Sequence, residues 1–125
     1  MLIDSDVLIW YMRGNPKAKK VIENLAPFPI SSVSYMELIQ GLRDKAEMKA
    51  LREFVVNKKI SILHISAEIS QKAVFYMERF SLSHNLRMAD ALIAGTASIH
   101  GKVLLTGNSR HYLHIKEIEV KKFRP

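Results

Sequence analysis

Leu2-Ile3-Asp4-Ser5-Asp6-Val7-Leu8-Ile9 is the stretch on which the reading of this chain turns. Leu2 and Ile3 read as a short apolar strand that stops at Asp4, and Val7–Met12 is apolar enough for a helix. Two carboxylates therefore follow a strand end directly. The same alternation continues outward from this point. Gly14-Asn15-Pro16 reads as a turn, and Pro16 suits the first turn of a helix over Lys17–Leu25. Pro27 and Pro29 bracket a break before a second strand, Phe28–Ser31. Ser34 and Glu37 have capping-box spacing, which predicts a helix from Ser34 to about Leu42. Apolar residues at Met48, Leu51, Phe54 and Val55 predict a helix over Ala46–Asn57. Ile60–Ile65 reads as a third strand and Ser66–Ser83 as a long helix. Met88–Ile99 reads as another helix, with Gly101 as its C′ residue, before a buried strand at Val103–Leu105 and an edge strand at Ile118–Phe123.

Strands that alternate with helices predict an α/β fold, a single domain over residues 1–125 with a mainly parallel central sheet of about five strands flanked by helices. In such a sheet ligands collect beyond the carboxyl ends of the strands. That rule makes candidate neighbours of Asp4, after the first strand, and Asn108, after the fourth.

A chain of 125 residues buries a core without a metal or disulfide staple. Cysteine is absent, which excludes disulfide scaffolds, thiolate metal sites and cysteine nucleophiles. Nineteen Lys and Arg against 12 Asp and Glu give a net charge of +7, so polyanions, nucleic acid first, are the expected partners. No segment has the length of a transmembrane span, the N-terminal run lacks a basic flank, and no basic helix carries a Trp- or Phe-rich face. The expected setting is cytoplasmic, with no membrane partner.

Four stretches carry candidate chemistry. Asp4 and Asp6 are hard oxygen ligands suited to Mg²⁺ or Mn²⁺, and Asp is also a favoured N-cap. The local reading makes Asp6 the cap and leaves Asp4 open between cap and ligand. Glu37, in Met36-Glu37-Leu38-Ile39-Gln40-Gly41, reads locally as the capping-box partner of Ser34. Asp90 opens the apolar, small-residue helix Met88-Ala89-Asp90-Ala91-Leu92-Ile93-Ala94, where a carboxylate facing inward needs a partner or a metal. Thr106-Gly107-Asn108-Ser109-Arg110-His111-Tyr112 reads locally as a turn, with Arg110 able to hold a phosphate.

In this order, within 125 residues, the four stretches resemble a PIN domain, in particular the VapC-type toxin of type II toxin–antitoxin pairs. The resemblance runs from Leu2 to about Val120. It implies a Mg²⁺- or Mn²⁺-dependent endoribonuclease whose acidic residues gather at the carboxyl edge of the sheet. By motif position these are Asp4, Glu37 and Asp90, with Asp4 and Asp90 as direct ligands and Glu37 binding through a water. The family's fourth acidic position falls where this chain has Asn108, and His111 occupies another place where relatives sometimes carry an acid. Asn108 and Thr106 are then expected to orient a water or a ligand carboxylate, with Ser5 and Asp6 supporting the ligands. Arg13, Arg43, Arg87 and Arg110 are candidate RNA contacts. The resemblance also implies RNA as substrate, a VapB-type antitoxin as partner, a homodimer, and 3′-hydroxyl and 5′-phosphate products.

Two rival readings stay open on the sequence. The absent fourth acid allows a non-catalytic PIN-like module that binds RNA or protein. Asp4-Ser5-Asp6 after a strand also opens haloacid-dehalogenase-like phosphatases, but only 19 residues follow Thr106, too few for that family's later lysine and acidic site.

Overall fold

The computed structural model describes all 125 residues. β1 (Leu2–Ile3) leads into α1 (Ser5–Met12) and α2 (Pro16–Leu25), then β2 (Pro29–Ser31) into α3 (Ser32–Gln40) and α4 (Lys45–Asn57). β3 (Ser61–Leu63) is followed by α5 (Ala67–His84) and α6 (Met88–His100), then β4 (Leu104–Thr106), a 3₁₀ turn (Ser109–His111) and β5 (Val120–Lys122). Every strand pairing is parallel. β4 lies between β1 and β5, pairing Leu2 with Leu104, Ile3 with Leu105 and Thr106 with Lys122. β2 and β3 form a second ladder, Ile30 opposite Ile62. The five strands expected from the sequence are present, but as ladders of three and two rather than one continuous sheet. β2 packs beside β1 without closing a ladder to it.

Strand alternation splits the core in two. Leu2 and Leu104 point to one face with Tyr76, Ile93, Ala97 and Tyr112, whereas Ile3 and Leu105 point to the other with Val7, Ile22, Ile30 and Phe123. α5 and α6 cover the first face, and α1, α2 and α4 the second. Both faces of the strands are thereby dry, the condition that parallel strands require.

Helix ends follow their local chemistry. Asn15 Oδ1 accepts the Ala18 N–H and Pro16 takes the first turn of α2. Ser66 caps α5, and Gly101, at φ 60°, ends α6 in the left-handed conformation. The Ser34–Glu37 capping box does not form. Ser31 is the N-cap of α3, its Oγ accepting from the Val33 N–H, so the helix starts two residues before Ser34 and Glu37 lies in its middle. Ser34 is buried, and its hydroxyl has no partner.

Gly95 sets the approach of α5 to α6. A Cβ there would stand 3.0 Å from the Ile69 carbonyl oxygen and 3.5 Å from the Ala73 nitrogen, both backbone atoms of α5. Gly95→Ala is therefore expected to destabilise the protein by about 1–2 kcal/mol despite the gain in helix propensity. Chemical denaturation would read this as a lowered midpoint with an unchanged slope.

Candidate active site

The carboxyl ends of β1 and β4 meet at a group of acidic side chains. Asp4 is the residue after β1 and also the N-cap of α1, so its carboxylate is fixed by the turn of the chain. Oδ1 accepts the Ser5 N–H at 2.8 Å. Oδ2 accepts the Thr106 hydroxyl at 2.9 Å and the Tyr112 hydroxyl at 3.2 Å. The residue is 5% exposed. Asp6, expected from the sequence to be the cap, instead sits in the first turn of α1 and reaches across to the β4 loop, where Oδ2 accepts the Gly107 N–H at 2.8 Å. Its Oδ1 is buried without a partner.

Glu37 comes from the middle of α3. Its Oε1 accepts the Ser5 hydroxyl at 3.0 Å, which ties it to the Asp4 turn. Asp90, in the first turn of α6, accepts the Tyr112 hydroxyl on Oδ1 at 3.3 Å and has His111 Nδ1 at 3.8 Å from Oδ2. Tyr112 thus stands between Asp4 and Asp90, and its one proton serves one carboxylate at a time. Sequence reasoning assigns Tyr112 no role. Its only signal there is a large aromatic in a segment otherwise rich in polar loop residues.

The electrostatics of this group are unbalanced. Burial first, and the Asp90 charge besides, raise Asp4 above the usual carboxylate range despite its three hydrogen bonds. Burial and then Asp4 push Asp6 up to about 6. Burial, then the charges of Asp4 and Asp90, raise Glu37. Burial above all, with Asp4, Asp90 and Glu37 behind it, holds Tyr112 neutral well beyond its ordinary range. No Lys or Arg forms an ion pair with these acids; among the salt bridges only His111–Asp90 touches the group.

The remaining sequence candidates separate by position. Thr106 is fully buried and links Asp4 to the loop, accepting the Asn108 N–H at 3.0 Å. Asn108 itself is exposed and enters the group only through that backbone N–H. Arg87 and Arg110 line a polar pocket of about 360 Å³ together with Asp90 and His111. Arg13 and Arg43 line a different, mostly apolar groove of about 710 Å³ that Glu37 also borders. There Arg43 is held by Glu47 at 2.8 Å. Beyond β4 come the 3₁₀ turn and β5.

The PIN domain family model matches residues 1–117 of this parallel α/β domain. The chain belongs to that family. It is 32% identical over 123 residues to ribonuclease VapC10 of Mycobacterium tuberculosis, a match that covers 95% of this chain and 90% of that protein. It also resembles a chain of a toxin–antitoxin complex from Klebsiella pneumoniae, with a TM-score of 0.76, 25% identity and 98% of each chain covered. VapBC from Salmonella typhimurium shares the fold with a TM-score of 0.81 at 21% identity over 97% and 96% of the two chains.

Proposed function

We propose that this chain is a divalent-metal-dependent endoribonuclease acting as the toxin of a toxin–antitoxin pair. The observation that carries this reading is the gathering of Asp4, Glu37 and Asp90 with no Lys or Arg ion-paired to them. Similarity over nearly the whole chain to a protein named a ribonuclease supports it.

The donor set fits Mg²⁺ or Mn²⁺. All the candidate ligands are carboxylate oxygens, Asp6 leaves one oxygen unpaired, and burial disfavours the charges unless something neutralises them. No three His, Asp or Glu side chains are close enough together to hold an ion in this geometry; the Ser5 and Tyr112 hydroxyls bridge the carboxylates. Asp4 and Asp90 would hold the ion directly, and Glu37 through a water. Such an ion, when bound, polarises the scissile phosphate and lowers the pKa of a bound water.

The protein's own groups do the rest. Thr106 and Ser5 hold Asp4 and Glu37 in position. Arg87 and Arg110, beside Asp90, are placed to hold a phosphate of the chain being cut. Glu37 accepts a hydrogen bond from the attacking water. Water adds to phosphorus in line, the P–O3′ bond breaks, and the products are a 3′-hydroxyl and a 5′-phosphate.

Likeness to the Klebsiella toxin–antitoxin complex supports a small antitoxin as partner. We assign its tail to the apolar groove that Glu37 borders, where it would block the site.

The test is direct. Purified protein, freed of any antitoxin, is incubated with total RNA and Mn²⁺ or Mg²⁺. Discrete cleavage that chelation removes is expected. The absence of fragments across a panel of RNAs assigns the chain to the non-catalytic reading, which the exposed Asn108 in place of a fourth acid favours.

Tyr112→Phe separates support from ligation. It keeps the buried ring but removes the hydroxyl between Asp4 and Asp90. Groups that orient ligands typically contribute 10–100-fold, so a loss of roughly 10-fold in cleavage is expected. Raising the metal concentration should recover part of it, which a metal titration of the cleavage rate reads out.

A further inference from the structure

Five cationic side chains, Lys17 and Lys20 of α2 with Lys121, Lys122 and Arg124 at and beyond β5, line one cleft of about 430 Å³. No Asp or Glu contributes to its lining. None of the five takes part in a salt bridge. Lys17 and Lys20 share a helix face at i, i+3. Lys17 also lies in the first turn of α2, which carries no acidic residue to offset the positive helix end.

A lysine on an outer strand discourages edge-to-edge pairing, which accounts for Lys121 and Lys122 on β5. It does not account for Lys17 and Lys20, which face them from a helix. Like charges gathered on both walls of a cleft repel one another, and an anionic occupant relieves that repulsion.

The cleft adjoins the acidic site. Lys122 pairs in register with Thr106, and the Phe123 N–H donates to the Thr106 carbonyl at 2.8 Å. Thr106 in turn holds Asp4, and the next residue, Gly107, holds Asp6. The cleft and the acidic site are thus joined through the paired ends of β4 and β5. The aromatic in the lining, Phe123, is buried at 5% exposure, so the cleft offers charge and no stacking platform.

We propose that this cleft is an exosite for the phosphate backbone of the RNA, gripping it outside the scissile position without reading its bases. The assignment rests on the ribonuclease reading above and extends it from the cut bond to the flanking chain. Phosphate contacts of this kind strengthen binding of long substrates and leave cleavage-site choice to the centre.

The test compares wild type with the Lys17→Gln/Lys20→Gln/Lys121→Gln/Lys122→Gln variant. All four positions are exposed, so the fold should be retained, which circular dichroism checks. Binding of a labelled mixed-sequence RNA of about 30 nucleotides is followed by anisotropy in chelator between about 50 and 200 mM salt. The expected result is affinity lower by roughly 10–100-fold. The slope of log K against log salt should become shallower by about 3, because each phosphate that a lysine neutralises on a single strand contributes about 0.7. Affinity for a fragment of about four nucleotides should stay unchanged.

Equal affinity and slope for the two proteins on the long RNA would overturn the exosite. So would an unchanged RNA slope combined with loss of binding to a polyglutamate peptide, which would assign the cleft to an acidic protein segment. The two readings fail separately. Protein that binds RNA through the four lysines but never cuts it keeps the exosite and refutes the nuclease. Protein that cuts RNA but binds it alike with and without the lysines does the reverse.

Discussion

Asp4→Asn and Asp90→Asn each lower RNA cleavage by on the order of 10³-fold or more, about 4 kcal/mol of transition-state stabilisation, while leaving the protein folded. The amide keeps the shape of the carboxylate and removes its charge. At Asp4 the amide oxygen still accepts the Ser5 N–H, and the amide NH₂ faces the Thr106 and Tyr112 oxygens as a donor. At Asp90 the Tyr112 hydroxyl keeps an acceptor. Burial costs an amide less than a charge, so Asp4→Asn should melt no lower than wild type at neutral pH in chelator. A lost activity then cannot be laid to a lost fold. Rates on a single RNA, measured beside thermal melts, check both halves. Cleavage by both variants at the wild-type rate would refute the assignment of the ligands.

The site is more legible in the sequence than the packing around it. Asp4 stands out because a strand of two apolar residues stops at it, and a parallel α/β pattern puts strand ends on one edge. Glu37 stands out only through the order of motifs. Its local setting argues for a capping box, and that argument fails because Ser31 starts the helix earlier. Nothing local distinguishes Ser31 from Ser34, since serine is a favoured cap at either position and both lie near the same strand. Tyr112 stays hidden for a different reason. Its role depends on hydrogen bonds to residues 108 and 22 positions away, which no spacing encodes. Asp6 looks locally like the cap because the Gly107 N–H that it accepts lies 101 positions further along the chain. The split into two ladders is likewise a matter of how β2 sits beside β1, a distance that hydrophobic pattern does not set. The composition amounts to +7, and the structure shows that charge to be uneven: five cations in one cleft, and an acidic centre with none paired to it by Lys or Arg.

That acidic centre makes stability depend on pH and on divalent ions together. Asp6 is raised from 3.8 to about 6, and Asp4 and Glu37 are raised too, in each case chiefly by burial. A carboxyl with a raised folded pKa binds more protons folded than unfolded between the two values. Stability from it is therefore fully present below about pH 4 and lost as pH rises through about 6. The lowered pKa of His114 and those of Glu47 and Glu117 act in the opposite direction, so the reading must be a difference between proteins. Asp6→Asn should match wild type near pH 4 and exceed it by about 1–2 kcal/mol near pH 7.5, after allowance for solvent screening. Mn²⁺ or Mg²⁺ should act on the same groups. At about 100 times its dissociation constant an ion stabilises the fold by about 2.7 kcal/mol. The gain should shrink near pH 5, where protons compete for the carboxylates, and largely vanish in Asp4→Asn. Melting in chelator and in added metal at both pH values measures each contribution. Equal stabilisation of wild type and Asp4→Asn by the ion would place its binding elsewhere. An Asp6→Asn advantage that does not grow with pH would mean that burial of this carboxylate costs the fold nothing.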